Sequence, residues 1–183
     1  VIQYENQSGG AGFDVIALTA GSNVEKLAEQ ALECRPQIAV IADETQLPIL
    51  KDRLAGSGIE AAGGAAAVTE AATRPARVLA AIVGAAGLES TLAAVQAGND
   101  VAIANKESVV CGGRLILEEA RKAGVMVLPV DSEHSAIHQC LGDGKSLERL
   151  TITASGGPFR TATLDEMRTA SPEAAAAHPN WAM

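Results

Sequence analysis

The sequence predicts an α/β protein with a Rossmann-like, doubly wound parallel sheet, followed by the start of an α/β catalytic domain. Short apolar runs alternate with amphipathic stretches along the chain, which is the pattern of βαβ units. Aromatic residues make up 2% of the chain and hydrophobic residues 48%, so Ala, Val, Ile and Leu must fill the core. Such a core suits parallel strands that are covered by helices on both faces.

Six apolar runs are predicted as strands because they are rich in Val, Ile and Ala and are separated by helical or turn signals. They span residues 13–20, 38–42, 78–84, 100–105, 125–130 and 149–155. A shorter strand is predicted at 59–61, within an Ala/Gly-rich segment. Beyond residue 155 the sequence is punctuated by Gly and Pro, which indicates the opening of a second domain.

Helices are predicted where apolar residues recur at i, i+3 and i+4. The predicted helices span residues 23–35, 65–72, 88–98, 107–124 and 164–169. Gly98 and Gly124 stand where the two central helices should end, because glycine adopts the left-handed conformation of a helix C-terminus. A further helical pattern follows Asp131.

Charge and composition limit the possible partners and location. The formal net charge of −8 disfavours nucleic acid and anionic membrane surfaces. No apolar run approaches the length of a membrane span, and the first residues lack the pattern of a signal peptide. The three cysteines are widely spaced, without a CxxC pair, which favours reduced thiols. We therefore expect a cytoplasmic protein.

Two glycine-containing segments follow predicted strands and suggest ligand contacts. The segment "TAGSNV" (19–24) carries Gly21, Ser22 and Asn23, which suit a ribose or its phosphate. Ser22 or Asn23 is equally suited to cap the following helix. The segment "IVGAAGL" (82–88) allows close approach of a ligand to the backbone, or simply relieves crowding between helix and sheet.

Polar residues also follow two later strands. Asn105, Lys106 and Glu107 come directly after an apolar strand in "IANKES". Asp131 and Glu133 flank Ser132 in "VLPVDSEHSAIHQCL", and helix capping accounts for one of these two acids. Because ligands of open α/β sheets gather at the carboxyl ends of strands, both clusters predict a metal or substrate site. In "TASGGPFR" (153–160), Ser155 and a Gly-Gly turn offer groups that bind an anion.

Four motifs in this order, "ANKES", "PVDSEHSAI", "ITASGGPFR" and "HPNWAM", resemble those of the 1-deoxy-D-xylulose 5-phosphate reductoisomerase family. The resemblance covers residues 13–183. It implies NADPH- and divalent-metal-dependent rearrangement and reduction of 1-deoxy-D-xylulose 5-phosphate to 2-C-methyl-D-erythritol 4-phosphate, in non-mevalonate isoprenoid precursor biosynthesis. It also implies an NADPH-binding domain at 1–130, the start of a metal- and substrate-binding domain at 131–183, and a homodimer.

The resemblance assigns a role to each candidate residue. Asp131 and Glu133 would bind Mg²⁺ or Mn²⁺, hard ions that prefer carboxylate oxygens. Lys106 would contact the substrate as a catalytic residue. The other implied substrate contacts are Ser132, Glu133, the phosphate-binding Ser155, and His178 and Trp181 on a flap, with His178 also catalytic. The implied cofactor contacts are Gly21, Ser22, Asn23, Asn105, Glu107 and Met183.

The sequence departs from the family pattern at several points. Ser22 stands where the family often has a basic residue that would bind the 2′-phosphate of NADPH. Ser135 and His138 replace the more usual Asn and Phe, and neither is expected to be catalytic. We expect the first strand of the sheet with its glycine-rich turn before Val1, and a third metal carboxylate with an Asn-Lys pair after Met183.

Two alternatives remain open at this stage. Asp131, Glu133, His134 and His138 would suit a zinc metallohydrolase, because the two histidines lie at i and i+4 beside two carboxylates. The chain would otherwise be a truncated, inactive fragment that binds only a nucleotide or a partner.

Overall fold

The computed structural model describes residues 12–141, 147–151 and 157–177. Within these residues, the strands are β1 (Ala17–Ala20), β2 (Ile38–Ile41), β3 (Glu60–Gly63), β4 (Arg77–Ala80), β5 (Asp100–Ile103) and β6 (Val127–Pro129). The α-helices are α1 (Val24–Cys34), α2 (Leu47–Arg53), α3 (Ala65–Ala71), α4 (Gly87–Gln96), α5 (Lys106–Ala123), α6 (Ser132–Leu141), α7 (Leu164–Arg168) and α8 (Pro172–Ala176). A single 3-10 turn at Glu44–Gln46 precedes α2.

The described strands form two parallel sheets of three strands each. One sheet has the order β1-β2-β3 and the other the order β4-β5-β6, with all four strand pairs parallel. Helices connect consecutive strands in both sheets. The predicted Rossmann-like α/β class is therefore confirmed. The chain divides into two compact units, Val1–Ser135 and Ala136–Met183, and both sheets belong to the first.

Each sheet is held by aliphatic side chains that its helices bury. In the first sheet, α1 and α2 pack on one face, where Leu27, Ile41 and Leu50 are at most 2% exposed. On the other face, α3 contributes Val68 to a cluster with Val40. In the second sheet, α4 and α5 pack on β4 and β5. This arrangement accounts for a core with few aromatic residues, because small aliphatic side chains fit between closely packed layers.

The two helices beside the second sheet approach closely at Gly112. A Cβ atom at this position would lie 2.6 Å from Leu88 Cδ1, a distance that real Cβ contacts do not show. The backbone of α5 is also non-helical at Gly112, with φ of −136° and ψ of 17°. Glycine therefore allows close packing of α5 against α4. It also allows the kink at Gly112, which separates the first turns of α5, beginning at Lys106, from the rest of the helix.

Most predicted elements are confirmed with small shifts at their ends. Gly124 is the left-handed C-cap of α5, with φ of 70°, and Gly98, with φ of 84°, follows Ala97, the C-cap of α4. The sequence interpretation missed α2 and α8. The strand predicted at 149–155 is wrong over residues 149–151, which are not in a strand, and its other residues lie outside the described part. Residues 149–151 belong to neither of the two described sheets, and strand propensity depends on packing against neighbouring strands.

Among the described residues, no helix is both long and apolar enough to cross a membrane. Cys34, Cys111 and Cys140 are free thiols.

Replacing Leu50 by Ala should lower the free energy of unfolding by about 2–5 kcal/mol, because it leaves a cavity in a packed core. Leu50 lies in α2 and is 0% exposed. Urea unfolding followed by circular dichroism measures the change. Leu32→Ala in α1 is the matched control: this leucine is 42% exposed, and its loss should cost far less. Equal effects of the two substitutions would contradict the packing described here.

Candidate functional site

The candidate site lies where the strands of the second sheet end. Because β4, β5 and β6 are parallel neighbours, the segments that follow them meet at one edge of the sheet. These segments are residues 81–86, 104–107 and 130–133. They include two of the polar clusters that the sequence analysis selected, around Lys106 and around Asp131.

Lys106 and Glu133 are brought together by the ends of β5 and β6. Lys106 Nζ lies 3.4 Å from Glu133 Oε2, with the two side chains 52% and 34% exposed. Lys106 is the first residue of α5, and Glu133 is the second residue of α6. The contact confirms that the two segments converge, although they are 27 positions apart in the sequence. An ion pair this exposed contributes little to stability, because solvent screens it.

Asp131 is held at the start of α6 by His134. Asp131 Oδ1 accepts a hydrogen bond from the backbone N–H of His134 at 3.1 Å, which is the geometry of a helix N-cap. The ring atom Nδ1 of His134 lies 2.8 Å from each carboxylate oxygen of Asp131. The Asp131 side chain is 8% exposed, whereas that of His134 is 55% exposed. The capping role expected for one of the two acids therefore belongs to Asp131.

Both carboxylates are ionised at neutral pH. Burial raises the pKa of Asp131, but hydrogen bonds from His134 and the charge of Lys106 outweigh it, so the pKa lies below its usual value. The pKa of Glu133 is lowered by a hydrogen bond from its own backbone N–H, then by the Ser132 hydroxyl and by Lys106. Two ionised carboxylates separated by one residue form a donor set that fits a hard divalent cation.

Asn105 connects two segments of the site. Asn105 is 4% exposed, and its Oδ1 accepts a hydrogen bond of 2.7 Å from the backbone N–H of Ser108, which caps α5. Nδ2 donates to the carbonyl oxygens of Ile82 and Gly84, the latter at 2.9 Å. The Asn105 side chain is therefore already engaged on both of its polar atoms.

The "TAGSNV" segment lies at the carboxyl end of β1, in the first sheet. Asn23 Oδ1 accepts a hydrogen bond of 3.0 Å from the backbone N–H of Lys26, so Asn23 caps α1. Gly21 and Ser22 are exposed. A Cβ atom at Gly21 would meet nothing within 4 Å, which leaves open space above this turn.

The structure describes two of the remaining predicted site residues, and four others lie outside the described part. Glu107 and Ser132 are exposed, in the first turns of α5 and α6. Ser155, His178, Trp181 and Met183 lie outside the described residues. Within the described part of the chain, no three His, Cys, Asp or Glu side chains are grouped so that they could hold a metal. The four-ligand zinc site of the hydrolase alternative is thus not formed there.

Gly87 is a position that the sequence analysis did not single out by itself. A Cβ atom there would lie 2.8 Å from the Ile82 carbonyl oxygen and 3.0 Å from Asn105 Nδ2. The first turn of α4 can approach Asn105 only because this residue has no side chain. The signal in the sequence was the run of small residues in "IVGAAGL". That run suited either the close approach of a ligand or close packing between helix and sheet.

Two family models match the chain. The model of 1-deoxy-D-xylulose 5-phosphate reductoisomerase matches residues 5–113, and that of the C-terminal domain of the same enzyme matches residues 127–183. The enzyme of this name from Rhodospirillum centenum is 56% identical over 174 residues, which are 93% of this chain and 43% of the relative. The one from Caulobacter vibrioides is 53% identical over 180 residues, 97% of this chain and 45% of the relative.

Solved structures agree with these matches. The 1-deoxy-D-xylulose 5-phosphate reductoisomerase from Zymomonas mobilis in complex with NADPH has a TM-score of 0.81 at 50% identity, over 91% of this chain and 45% of that chain. A DOX-P reductoisomerase in complex with NADPH, fosmidomycin and magnesium has a TM-score of 0.79 at 35% identity, over 100% of this chain and 48% of that one. The chain spans less than half the length of these relatives.

Proposed function

The chain belongs to the 1-deoxy-D-xylulose 5-phosphate reductoisomerase family, and from that premise we propose that the whole protein converts 1-deoxy-D-xylulose 5-phosphate to 2-C-methyl-D-erythritol 4-phosphate. The reaction uses NADPH and a divalent cation and serves the non-mevalonate route to isoprenoid precursors. The observation that carries this proposal is the contact of Lys106 with Glu133 at the carboxyl edge of the second sheet, next to Asp131, whose side chain is 8% exposed.

Asp131 and Glu133 are proposed as the ligands that this chain gives to Mg²⁺ or Mn²⁺. Both are ionised and they follow the same strand, which suits a hard cation. The cation supplies Lewis-acid polarisation of the substrate carbonyl when it is bound. For Asp131 to serve as a ligand, His134 turns its ring away while the backbone N–H of His134 keeps its hydrogen bond to the carboxylate.

Lys106 and Ser132 are proposed to hold the substrate. The ammonium group of Lys106 lies beside Glu133. It has three donor hydrogens, so it can keep this contact and also donate a charge-assisted hydrogen bond to a substrate oxygen. Ser132 is exposed and stands between the two acids in the sequence, and its hydroxyl is proposed to bind a substrate hydroxyl. Ser155 is proposed to bind the phosphate, and His178 and Trp181 to close over the substrate, which would exclude water from a reactive aldehyde.

The cofactor is proposed to lie along the carboxyl edge of both sheets. NADPH supplies the hydride for the reduction step. Its proposed contacts are Gly21, Ser22, Asn23, Asn105, Glu107 and Met183. The open space above Gly21 and the exposure of Ser22 support the first of these. The Asn23 side chain already caps α1, so its backbone N–H and amide nitrogen are the groups proposed for the cofactor.

We propose the domain organisation that the sequence suggests, with an NADPH-binding domain at 1–130 and the start of a metal- and substrate-binding domain at 131–183. Lys106 and Glu133, one from each side of this boundary, lie 3.4 Å apart, so the proposed substrate site draws on both regions. The whole protein is proposed to be a cytoplasmic homodimer whose small-molecule partner is a phosphorylated sugar. The net charge of −8 supports the absence of nucleic acid as a partner.

The experiment that tests the function is an assay of NADPH oxidation by the purified whole protein. We expect oxidation to require both 1-deoxy-D-xylulose 5-phosphate and Mg²⁺ or Mn²⁺, and the product to be 2-C-methyl-D-erythritol 4-phosphate by mass spectrometry. Zinc-dependent hydrolysis without NADPH would instead support the hydrolase alternative.

Ser22→Arg should favour NADPH over NADH by about 1–3 kcal/mol, because a guanidinium there gains charge-assisted hydrogen bonds to the 2′-phosphate. Ser22 is exposed and directly precedes the N-cap of α1, so a long side chain is accommodated without repacking. Titration of nicotinamide fluorescence gives both dissociation constants. Ser22→Gln is the uncharged control and should leave the ratio unchanged. An equal effect of arginine on both cofactors would show that position 22 does not face the 2′-phosphate.

A further inference from the structure

Lys26 is the one cationic residue in the segments that follow the strands of the first sheet. Each segment consists of the residues after a strand and the first turn of the next helix, and the three segments span residues 21–26, 42–49 and 64–67. The acidic residues of the same segments are Glu25, Asp43 and Glu44. An anionic group at this carboxyl edge is therefore repelled by the acids after β2 and attracted by the cation in the first turn of α1.

The partner of Lys26 is a solvent-exposed acid on the same helix. Lys26 Nζ lies 2.9 Å from Glu29 Oε2, and the two side chains are 56% and 67% exposed. The hydrogen bond to Glu29 raises the pKa of Lys26, so the ammonium group is charged at neutral pH. Because solvent screens so exposed a pair, the ammonium group is readily drawn from Glu29 to an anion of higher charge.

Lys26 belongs to the turn that is proposed for the cofactor. Its backbone N–H donates a hydrogen bond of 3.0 Å to Asn23 Oδ1. The Cα–Cβ bonds of a helix tilt toward its N-terminus, so the flexible lysine side chain can reach the turn of Gly21 and Ser22 as well as Glu29. A cation in the first turn of a helix is unfavourable for the helix itself, because the positive end of the helix dipole lies there. Helix formation therefore does not account for a lysine at this position.

We propose that Lys26 binds the 2′-phosphate of NADPH and sets a preference for NADPH over NADH, supplying the cation that position 22 lacks. The inference rests on the proposed function, in which Gly21, Ser22 and Asn23 contact the cofactor. NADPH differs from NADH by one ionised phosphate, which the net charge of −8 disfavours and which the uncharged Ser22 and Asn23 do not neutralise. A lysine ammonium group neutralises it and donates hydrogen bonds to its oxygens.

Two substitutions of Lys26 separate its charge from the rest of the side chain. Lys26→Met keeps an unbranched side chain with a high helix propensity and removes the charge, whereas Lys26→Arg keeps the charge. Lys122→Met is the matched control. Lys122 is 66% exposed and also pairs with a glutamate three positions away, Glu119, at 2.6 Å. It lies in the last turn of α5, beside the second sheet.

The dissociation constants of NADPH and NADH are measured in the whole protein by titration of nicotinamide fluorescence, and thermal unfolding checks that each variant is folded. In Lys26→Met we expect NADPH to bind about tenfold more weakly and NADH to bind as before, which is the loss of one screened, charge-assisted hydrogen bond. Lys26→Arg should keep the preference for NADPH. Lys122→Met should change neither dissociation constant.

Unchanged NADPH affinity in Lys26→Met, or equal weakening of both cofactors, would overturn the assignment of Lys26 to the 2′-phosphate. An equal loss in Lys122→Met would attribute the effect to net charge and overturn it too, as would a loss in Lys26→Arg as large as that in Lys26→Met. If the unsubstituted protein binds neither cofactor, the proposed function fails together with this inference. If it binds NADPH equally well with lysine or methionine at position 26, only this inference fails.

Discussion

Asp131→Asn and Glu133→Gln are each expected to lower the turnover of the whole protein by about 10³-fold or more, because each removes a charged ligand from a Lewis-acid site. Neither change should unfold the chain. Asn caps a helix as well as Asp does, so the start of α6 is preserved. The Lys106–Glu133 pair is exposed enough that its loss costs little stability. Steady-state kinetics over a range of Mn²⁺ concentrations gives the loss, and calorimetry with Mn²⁺ gives the change in metal affinity.

His138→Phe is the control for these two substitutions. His138 lies on the same helix as Glu133 and is exposed, and the metal site proposed here does not use it. Its replacement should leave turnover and metal affinity nearly unchanged. If instead His138→Phe abolished activity while Glu133→Gln retained it with normal metal dependence, the ligand set proposed here would be wrong, and a histidine-based zinc site would have to be considered again.

The strongly periodic parts of the fold could be predicted from the sequence, and the less regular parts could not. The helix α5 was predicted to within one residue at each end, because apolar spacing and a terminal Gly124 agree. The helix α2 was missed although Pro48 stands in its first turn, where proline favours a helix start. Its seven residues are too few for periodicity to be visible, and packing of Leu50 into the core stabilises it.

The candidate site, too, could be predicted from the sequence only in part. The polar residues after two strands were enough to predict a ligand site at the carboxyl ends of the strands. The structure adds that these strands are neighbours in one sheet and that Lys106 and Glu133 meet there. The direction of a side chain was not predictable in this way. Whether the Asn105 amide faces a ligand or the Ile82 carbonyl depends on where β4 ends in space, and the sequence does not contain that information locally.

Lys106→Met is expected to lower kcat/KM for 1-deoxy-D-xylulose 5-phosphate by about 10²-fold, the effect of losing one charge-assisted hydrogen bond in the site. Methionine keeps the length and the apolar stem of the side chain and removes the charge that lies 3.4 Å from Glu133 Oε2. The melting temperature should hardly change, because the Lys106 side chain is 52% exposed.

Lys122→Met is the matched control for this prediction, since Lys122 lies on the same helix and forms an ion pair of 2.6 Å with Glu119 while being 66% exposed. The two substitutions remove the same charge from the same helix, one at the proposed site and one at the opposite end. If the loss of activity came from the net charge or from the stability of α5, both variants would lose activity equally. A loss confined to Lys106→Met would show that the cation acts at the carboxyl edge of the sheet, and full activity of Lys106→Met would remove Lys106 from the proposed site.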